Sequence, residues 1–342
     1  MNSYFSTFIT GFESVVERAL PKTLKEVKIE QLSDGLVIYK TTSHLEEIKG
    51  VKFFNNSFIL LKLFHPLPDN PIKTMLLEML HNHELELLLR KLVLKNGTKF
   101  RVRALVENQF VAIDNNLLAK VEAKISTLTK LVINRSLPDI EFHILTRSEG
   151  FGLIGVRLTR RSNYEKTLER GELYPELAYL LCLISEPNKN DIFLDPFSGS
   201  GSISIQRAVS FPYRQVLAGE IDSHLVNKLR RRTSNLPQKI IVSQGNALDL
   251  QTFSNNSVDK IVTDPPWGLH TGKSLTLPKF YFQMMQELHR IVKPDGVIVI
   301  LTAQKELFEE TLNQHKNKLE LIKKYNTLVS GKKASVYKIK KI

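Results

Sequence analysis

The second half of this 342-residue chain predicts a doubly wound α/β sheet, and the first half predicts a smaller α+β region ahead of it. From residue 191 onward, short apolar runs alternate with helix-spaced segments, which is the rhythm of a mainly parallel sheet. Several of these runs end in acids followed by prolines or glycines, at the place where such sheets hold ligands. Length adds a third bound, because 342 residues exceed one ordinary core and suit two or three domains.

In chain order, ESVVERALPKTLKEV and NLLAKVEAKISTL have helical spacing, while FFNNSFILLKLF and KFRVRALVENQFVAI read as strands, giving one or two small α+β units. The charged stretch TRRSNYEKTLERG (159–171) reads as a connector, and ELYPELAYLLCLIS as the helix it leads to. DIFLD (191–195) is the first strand of the sheet, followed by the turn PFSGSG and the helix SISIQRAVS. QVLAGEID (215–222) and SHLVNKLRRRTSN form the next strand and helix, and KIIVSQGNALDL (239–250) repeats the form. DKIVTD (259–264) leads into DPPW. The helix KFYFQMMQELHRIV (279–292) is expected to stop at the turn KPDG, before the buried strand GVIVILTA (296–303). KELFEETLNQHKN is a helix, and KLELIKKYNTLV and ASVYKIKKI are alternating strands that flank SGKK as an antiparallel hairpin.

With 42% hydrophobic and 24% charged residues the chain reads as globular, not disordered. No apolar run approaches the roughly 20 residues of a membrane span. MNSYFSTFITGFESVVERAL lacks a basic leader and a small-residue cleavage site, so no signal peptide is expected. The single cysteine, Cys182, sits in an apolar run and reads as a small core residue; together these features favour the cytoplasm. Net charge is +13, and its distribution is uneven: residues 1–150 carry 20 basic and 17 acidic side chains, residues 151–342 carry 28 and 18. Such an excess favours a polyanionic partner, of which nucleic acid is the commonest. The nine histidines show no metal-ligand spacing, and no metal is expected.

Two motifs carry chemistry. DPFSGSG (195–201) follows a strand and opens a helix, so Gly199 and Gly201 let backbone amides approach a ligand at a helix N-terminus. Glu220 ends the next strand, where a carboxylate accepts both hydroxyls of a ribose. The loop is not GxGxxG, which speaks against a dinucleotide oxidoreductase. GLHTGKS (268–274) fails as a triphosphate loop, with three residues between its glycines instead of four; Lys273 reads as a loop cation. In Asp264-Pro265-Pro266-Trp267 each proline fixes its own φ and restrains the residue before it. The Asp264 carboxylate and the Pro265 carbonyl then form two rigid acceptors matched to the hydrogens of an exocyclic NH2, and Trp267 offers a face for stacking. Such a pair orients an amine lone pair towards an electrophile, and the methyl of S-adenosylmethionine fits that role.

On LDPFSGSG, AGEID, QGNALDL and TDPPWG, in that order, the chain resembles the class I S-adenosylmethionine-dependent N-methyltransferases. More narrowly it resembles the THUMP-domain guanine-N2 tRNA methyltransferases, through IGVRLTRRSNY…ERGELYPELA (154–178) as well. FITGFESVVERAL, KFRVRALV and LPDIEFHI are similar to that family's N-terminal ferredoxin-like unit and THUMP domain. The resemblance implies a ferredoxin-like unit over 1–65, a THUMP-like RNA-binding domain over 66–150, a linker over 151–174 and a Rossmann-like methyltransferase domain over 175–342. It implies that Asp195, Phe197, Gly199 and Gly201 line the methionine end of S-adenosylmethionine, that Glu220 holds the ribose, and that Asn246 and Ala247 border the adenine. Asp264, Pro265 and Trp267 would hold the target guanine, flipped out of any duplex. Arg101, Arg103, Arg160 and Arg161 are the candidates for binding tRNA. Two positions depart from the family: Asn246 stands where Asp is commoner, and Trp267 where Tyr or Phe is. DPPW also occurs in enzymes that methylate the adenine N6 amine. The alternatives are therefore a ribosomal RNA guanine, an adenine amine, or a non-catalytic RNA-binding module. The sequence is silent on a small activating subunit and on oligomeric state.

Overall fold

The computed structural model describes residues 1–92, 95–159, 168, 172–268 and 276–342. It divides into two compact units, one of Met1–Thr7 with Ala19–Arg161 and one of Phe8–Arg18 with Ser162–Ile342. The division falls within the first helix, α1 (Glu13–Thr23).

The first unit is built on one nine-stranded sheet. Its strands are β1 (Asn2–Thr7), β2 (Lys28–Ser33), β3 (Leu36–Thr41), β4 (Asn56–Phe64), β5 (Lys99–Val106), β6 (Gln109–Val111), β7 (Val132–Ile133), β8 (Ile140–Thr146) and β9 (Gly152–Arg157). They run in the order β2-β3-β1-β4-β9-β8-β5-β6, with β7 beside β5. Helix α2 (Leu45–Lys49) precedes β4, and α3 (Pro71–His81), α4 (His83–Lys91) and α5 (Asn115–Thr129) follow it. Alternation decides which face they cover. Phe100, Val102 and Ala104 of β5 join Met75, Leu85 and Val121 of these helices in one core, while Arg101 and Arg103 point to the other face. Asp114 caps α5 by accepting from Leu117 N at 2.9 Å.

One expectation needs correcting here. The linker over 151–174 begins as sheet: β9 pairs with β4 on one side and β8 on the other, and residues 152–156 are buried. GLIGV is a short apolar run that serves as a central strand, so the sheet takes the first residues of the expected linker. β4, which ends the expected ferredoxin-like piece, thus shares its sheet with β5 and β8 of the expected THUMP-like piece and with β9 of the expected linker.

The second unit carries the predicted α/β sheet. Helix α6 (Pro175–Ile184) leads to β10 (Ile192–Asp195), α7 (Ser202–Ser210), β11 (Gln215–Glu220), α8 (Ser223–Thr233), β12 (Ile240–Gln244) and β13 (Val258–Thr263). Helix α9 (Leu277–Ile291), β14 (Val292–Thr302), α10 (Lys305–Gln314), β15 (Leu319–Val329) and β16 (Lys332–Lys341) complete it. Strand order is β12-β11-β10-β13-β14-β16-β15. The first five strands are parallel and β16 is antiparallel to both its neighbours, as the hairpin predicted. Met284, Met285 and Leu288 of α9 pack on Ile261, Ile298 and Ile300 in the main core, and Cys182 is fully buried on α6.

KPDG does not separate helix from strand. It lies inside β14, where Asp295 at φ 61° and a shift of register opposite Val258–Lys260 absorb the turn as a bulge. The segment Phe8–Arg18 closes against the last hairpin. A Cβ on Gly11 would lie 1.7 Å from the Asn326 carbonyl oxygen, so only glycine allows the approach. Phe12 stacks on Tyr325 at 5.7 Å, and Lys323 Nζ donates to Ser14 Oγ at 2.7 Å. Among the described residues no helix is long and apolar enough to cross a membrane.

Candidate active site

Parallel pairing puts the carboxyl ends of β12, β11, β10 and β13 along one rim. Glu220 lies in register with Gln244, Asp195 with Ala218, and Leu194 with Ile261. The loops that leave these ends hold Asn246, Glu220–Asp222, Pro196–Gly201 and Asp264–Gly268, so the structure brings both predicted clusters to one edge.

The glycine loop is tied to the next strand. Ser198 N donates to Gly219 O at 2.9 Å, and Gly199 N donates to Glu220 Oε2 at 2.9 Å. Glu220 Oε1 accepts from Ile221 N and Asp222 N at 2.9 and 3.0 Å. The carboxylate expected to wait for a ribose therefore also braces the loop, with one lone-pair site to spare, on Oε2. Gly199 and Gly201 both have positive φ, 50° and 90°. A Cβ on Gly199 would meet nothing within 4 Å, so the loop faces open space; one on Gly201 would lie 2.2 Å from Leu229 Cδ1. Gly201 is the N-cap of α7, and no side chain caps that helix end. Open space, uncapped helical amides and fixed carboxylates fit a ligand with a carboxylate, a cation and a ribose, which S-adenosylmethionine is.

Asp195 is buried and accepts from Thr263 Oγ1 at 2.8 Å and Phe197 N at 3.3 Å. Burial pushes its carboxyl up to about 7, against those hydrogen bonds, with the nearby Glu220 adding to the rise. Phe197 packs on the main core with its ring 5.8 Å from Phe280. Asn246 is exposed and its side-chain oxygen accepts from Leu248 N at 3.0 Å, so the acceptor expected for adenine is engaged in a local turn. Ala247 is buried beside it.

At the end of β13, Asp264 Oδ1 accepts from Trp267 Nε1 at 2.9 Å. Burial pushes the Asp264 carboxyl up to about 8, the indole bond lowering it and the Asp195 charge raising it. Three residues that sequence reasoning missed hold the loop. Tyr281 OH donates to Pro266 O at 3.2 Å and lies 2.8 Å from Thr302 Oγ1, while Gln304 Nε2 donates to Trp267 O at 2.7 Å. These contacts are tertiary, and nothing local in the sequence marks them. Pro265 O accepts from none of the described residues.

In the first unit Arg101 and Arg103 converge on the buried Glu141. Arg101 Nε donates to it at 2.6 Å, Arg103 Nε lies 3.5 Å away, and Arg157 Nη1 approaches at 2.8 Å. Burial opposes the Glu141 charge, yet hydrogen bonds from His143, Arg101 and Arg157 hold its carboxyl well below the usual range. Three guanidiniums on one carboxylate leave an excess of positive charge. The Arg103 guanidinium also lies 4.2 Å from the centre of the Phe110 ring, which is 60% exposed. Arg160, Arg161, Lys273 and most of the connector lie outside the described residues.

Residues 162–334 match the family model of the RMKL-like methyltransferase domain. A tRNA (guanine(6)-N(2))-methyltransferase of Bos taurus is 28% identical over 208 residues, covering 55% of this chain and 40% of that protein. A tRNA (guanine(6)-N2)-methyltransferase of Thermus thermophilus is 27% identical over 225 residues, covering 64% and 66%. The chain thus matches less than two thirds of the length of either relative. The crystal structure of TrmN from Thermus thermophilus superposes over 100% of both chains, with a TM-score of 0.79 and 21% identity. A putative methyltransferase, SMU.472, crystallised with S-adenosylhomocysteine, covers 98% of this chain and 97% of its own at a TM-score of 0.70 and 16% identity. These likenesses show the fold of the class I methyltransferases, as the sequence predicted.

Proposed function

The chain belongs to the RMKL-like methyltransferase domain family, and from that premise we propose that it methylates the exocyclic N2 amine of a guanosine in tRNA, with S-adenosylmethionine as donor. One observation carries the reading: the rigid Asp264–Pro265 acceptor pair lies on the same rim as the Gly199–Gly201 loop and Glu220. The names of the bovine and Thermus relatives support the base, the atom and the RNA.

When bound, S-adenosylmethionine supplies a methyl already activated on a sulfonium. Asp195, Phe197, Gly199 and Gly201 enclose its methionine end in this reading, Glu220 takes the ribose hydroxyls, and Asn246 with Ala247 borders the adenine. The Asp264 carboxylate and the Pro265 carbonyl receive the two amine hydrogens and aim the lone pair, while Trp267 stacks on the base. Nothing need remove the proton before transfer, since the amine becomes acidic only as it gains the methyl. Asp264, with its carboxyl near 8, is placed to take that proton.

The first unit is the RNA-binding, THUMP-like part of the proposal, with Arg101 and Arg103 meeting phosphate and Phe110 offering an exposed ring to a base. Arg160 and Arg161 remain in the proposed RNA surface on sequence grounds. The cytoplasm is the proposed compartment.

The test is mass spectrometry of digested nucleosides after purified protein has acted on unmodified total tRNA with S-adenosylmethionine. New N2-methylguanosine is expected. Methyladenosine would keep the acceptor pair and overturn the base, and no product on tRNA, with product on ribosomal RNA, would overturn the substrate.

A further inference from the structure

The tryptophan that ends the acceptor loop is held more tightly than a stacking platform requires. Its indole Nε1 donates to Asp264 Oδ1 at 2.9 Å, and its carbonyl accepts from Gln304 Nε2 at 2.7 Å. The residue before it is anchored through Tyr281, itself fixed on Thr302. The residue after it, Gly268, has a φ of 92°. A Cβ there would lie 3.0 Å from Leu277 Cδ2, so the loop packs closely on the start of α9. The ring therefore has one orientation, set at its main chain and at its N–H.

That orientation has a chemical result. A half-buried carboxylate that accepts an N–H is held in one rotamer and favours its ionised form. One oxygen of Asp264 is occupied by the indole; the other, with the Pro265 carbonyl, accepts from none of the described residues. The loop thus leaves the substrate amine one carboxylate oxygen and one carbonyl oxygen. A phenyl ring in the same place offers a face but no N–H.

The geometry points to Trp267 as a positioning residue for Asp264: its indole N–H fixes the carboxyl group so that the free oxygen, with the Pro265 carbonyl, receives the amine. This rests on the reading of the rim as an amino-group methyltransferase site. It adds a role that stacking does not include. The titratable group that acts on Asp264 is Asp195, at the end of β10, with Glu220 acting in turn on Asp195; Tyr281, on α9, faces Asp264 and is itself raised by it. Burial and the Asp195 charge oppose ionisation of Asp264, and the indole works against them.

Trp267 is the chain's one tryptophan, so its fluorescence reports this contact alone. In wild-type protein without RNA, the emission is expected to titrate once, near the Asp264 value of about 8. The Asp264→Asn variant is expected to lose that titration. Emission that stays constant from pH 5 to 9, or that still titrates in Asp264→Asn, would overturn the contact. The second arm compares Trp267→Phe, which keeps a ring, with Trp267→Ala, which does not. Removing a hydrogen bond to a charged group shifts a pKa by about one unit. Trp267→Phe should therefore move the acid limb of kcat/KM up by about one pH unit and lower kcat by about tenfold at pH 7, with the KM for RNA little changed. Trp267→Ala should raise that KM as well. An unmoved acid limb in Trp267→Phe, with wild type active, would refute the positioning role and leave the methyltransferase reading intact. If wild type methylates no RNA, that reading fails instead, and the fluorescence arm still decides the contact.

Discussion

Replacing Glu220 by glutamine separates two tasks that its carboxylate holds at once. The side chain accepts three backbone N–H bonds, from Gly199, Ile221 and Asp222. The remaining lone pair on Oε2 is the proposed acceptor for the ribose hydroxyls. Glutamine keeps the length and one oxygen but turns the other end into a donor, which then faces at least one N–H. Hydrogen bonds to a charged group contribute about 1.5–3 kcal/mol each. Glu220 is only half-buried, so water takes over part of the brace, and a stability loss of about 1–2 kcal/mol is expected. At the ribose, losing about 2–3 kcal/mol weakens the cofactor roughly 30- to 150-fold. The assay is calorimetric titration with S-adenosylhomocysteine, beside urea unfolding and RNA binding on the same preparations. RNA affinity should stay unchanged. Cofactor affinity within twofold of wild type, with the stability loss present, would refute the ribose assignment and leave Glu220 as a brace. An equal loss of both affinities would also refute it.

Gly201→Ala places a Cβ against the fully buried Leu229 at φ 90°, and urea unfolding should show a loss of about 2–4 kcal/mol. Gly199→Ala meets open space, so the same measurement should show about 1 kcal/mol while S-adenosylhomocysteine affinity falls; a larger stability loss would mean the loop is packed, not open. Asp195 and Asp264 titrate near 7 and 8 in the fold but near 3.9 when unfolded, so between about pH 4 and 8 the native state holds more protons. Their contribution to stability therefore falls as pH rises through that window and is flat above it. Asp264→Asn should flatten the slope of unfolding free energy against pH, and an unchanged slope would show that Asp264 is ionised throughout. Arg101 and Arg103 changed together to alanine should weaken tRNA binding and reduce its salt slope by about one to two. An unchanged slope would leave both as partners of Glu141 and nothing more.

Much of the second unit was legible because β10, β11 and β13 are short, apolar-rich runs that lead into acids, glycines and prolines. The rim followed from topology alone: once β10, β11, β12 and β13 run parallel, Asp195, Glu220, Asn246 and Asp264 must share an edge. The first unit was less legible. β1 reads NSYFST, a polar-looking run, but Ser6 is buried and lies within hydrogen-bond distance of both Tyr39 OH and Ser57 Oγ, at 3.1 and 3.0 Å. A buried, satisfied serine hides the alternation on which strand assignment rests. KPDG reads as a turn because turn and bulge use the same residues; only its pairing with β13 tells them apart. Likewise DPPW announced two acceptors and a ring, while the indole N–H on Asp264 depends on loop geometry, and the Gln304 and Tyr281 anchors come from elements far along the chain.

The closure of residues 8–18 on the last hairpin has a consequence for synthesis. Ser14 and Lys323 are 309 positions apart. At translation rates of about 5–20 residues per second, the early segment waits roughly 15 to 60 s for its partner to be made. During that interval Phe12, fully buried in the finished fold, lacks the Tyr325 ring it will stack on. The second unit is therefore closed by an early and a late segment of the chain as it is made. A ribosome that stalls before β15 would leave an apolar segment exposed, a mark by which quality control can tell an unfinished copy from a finished one.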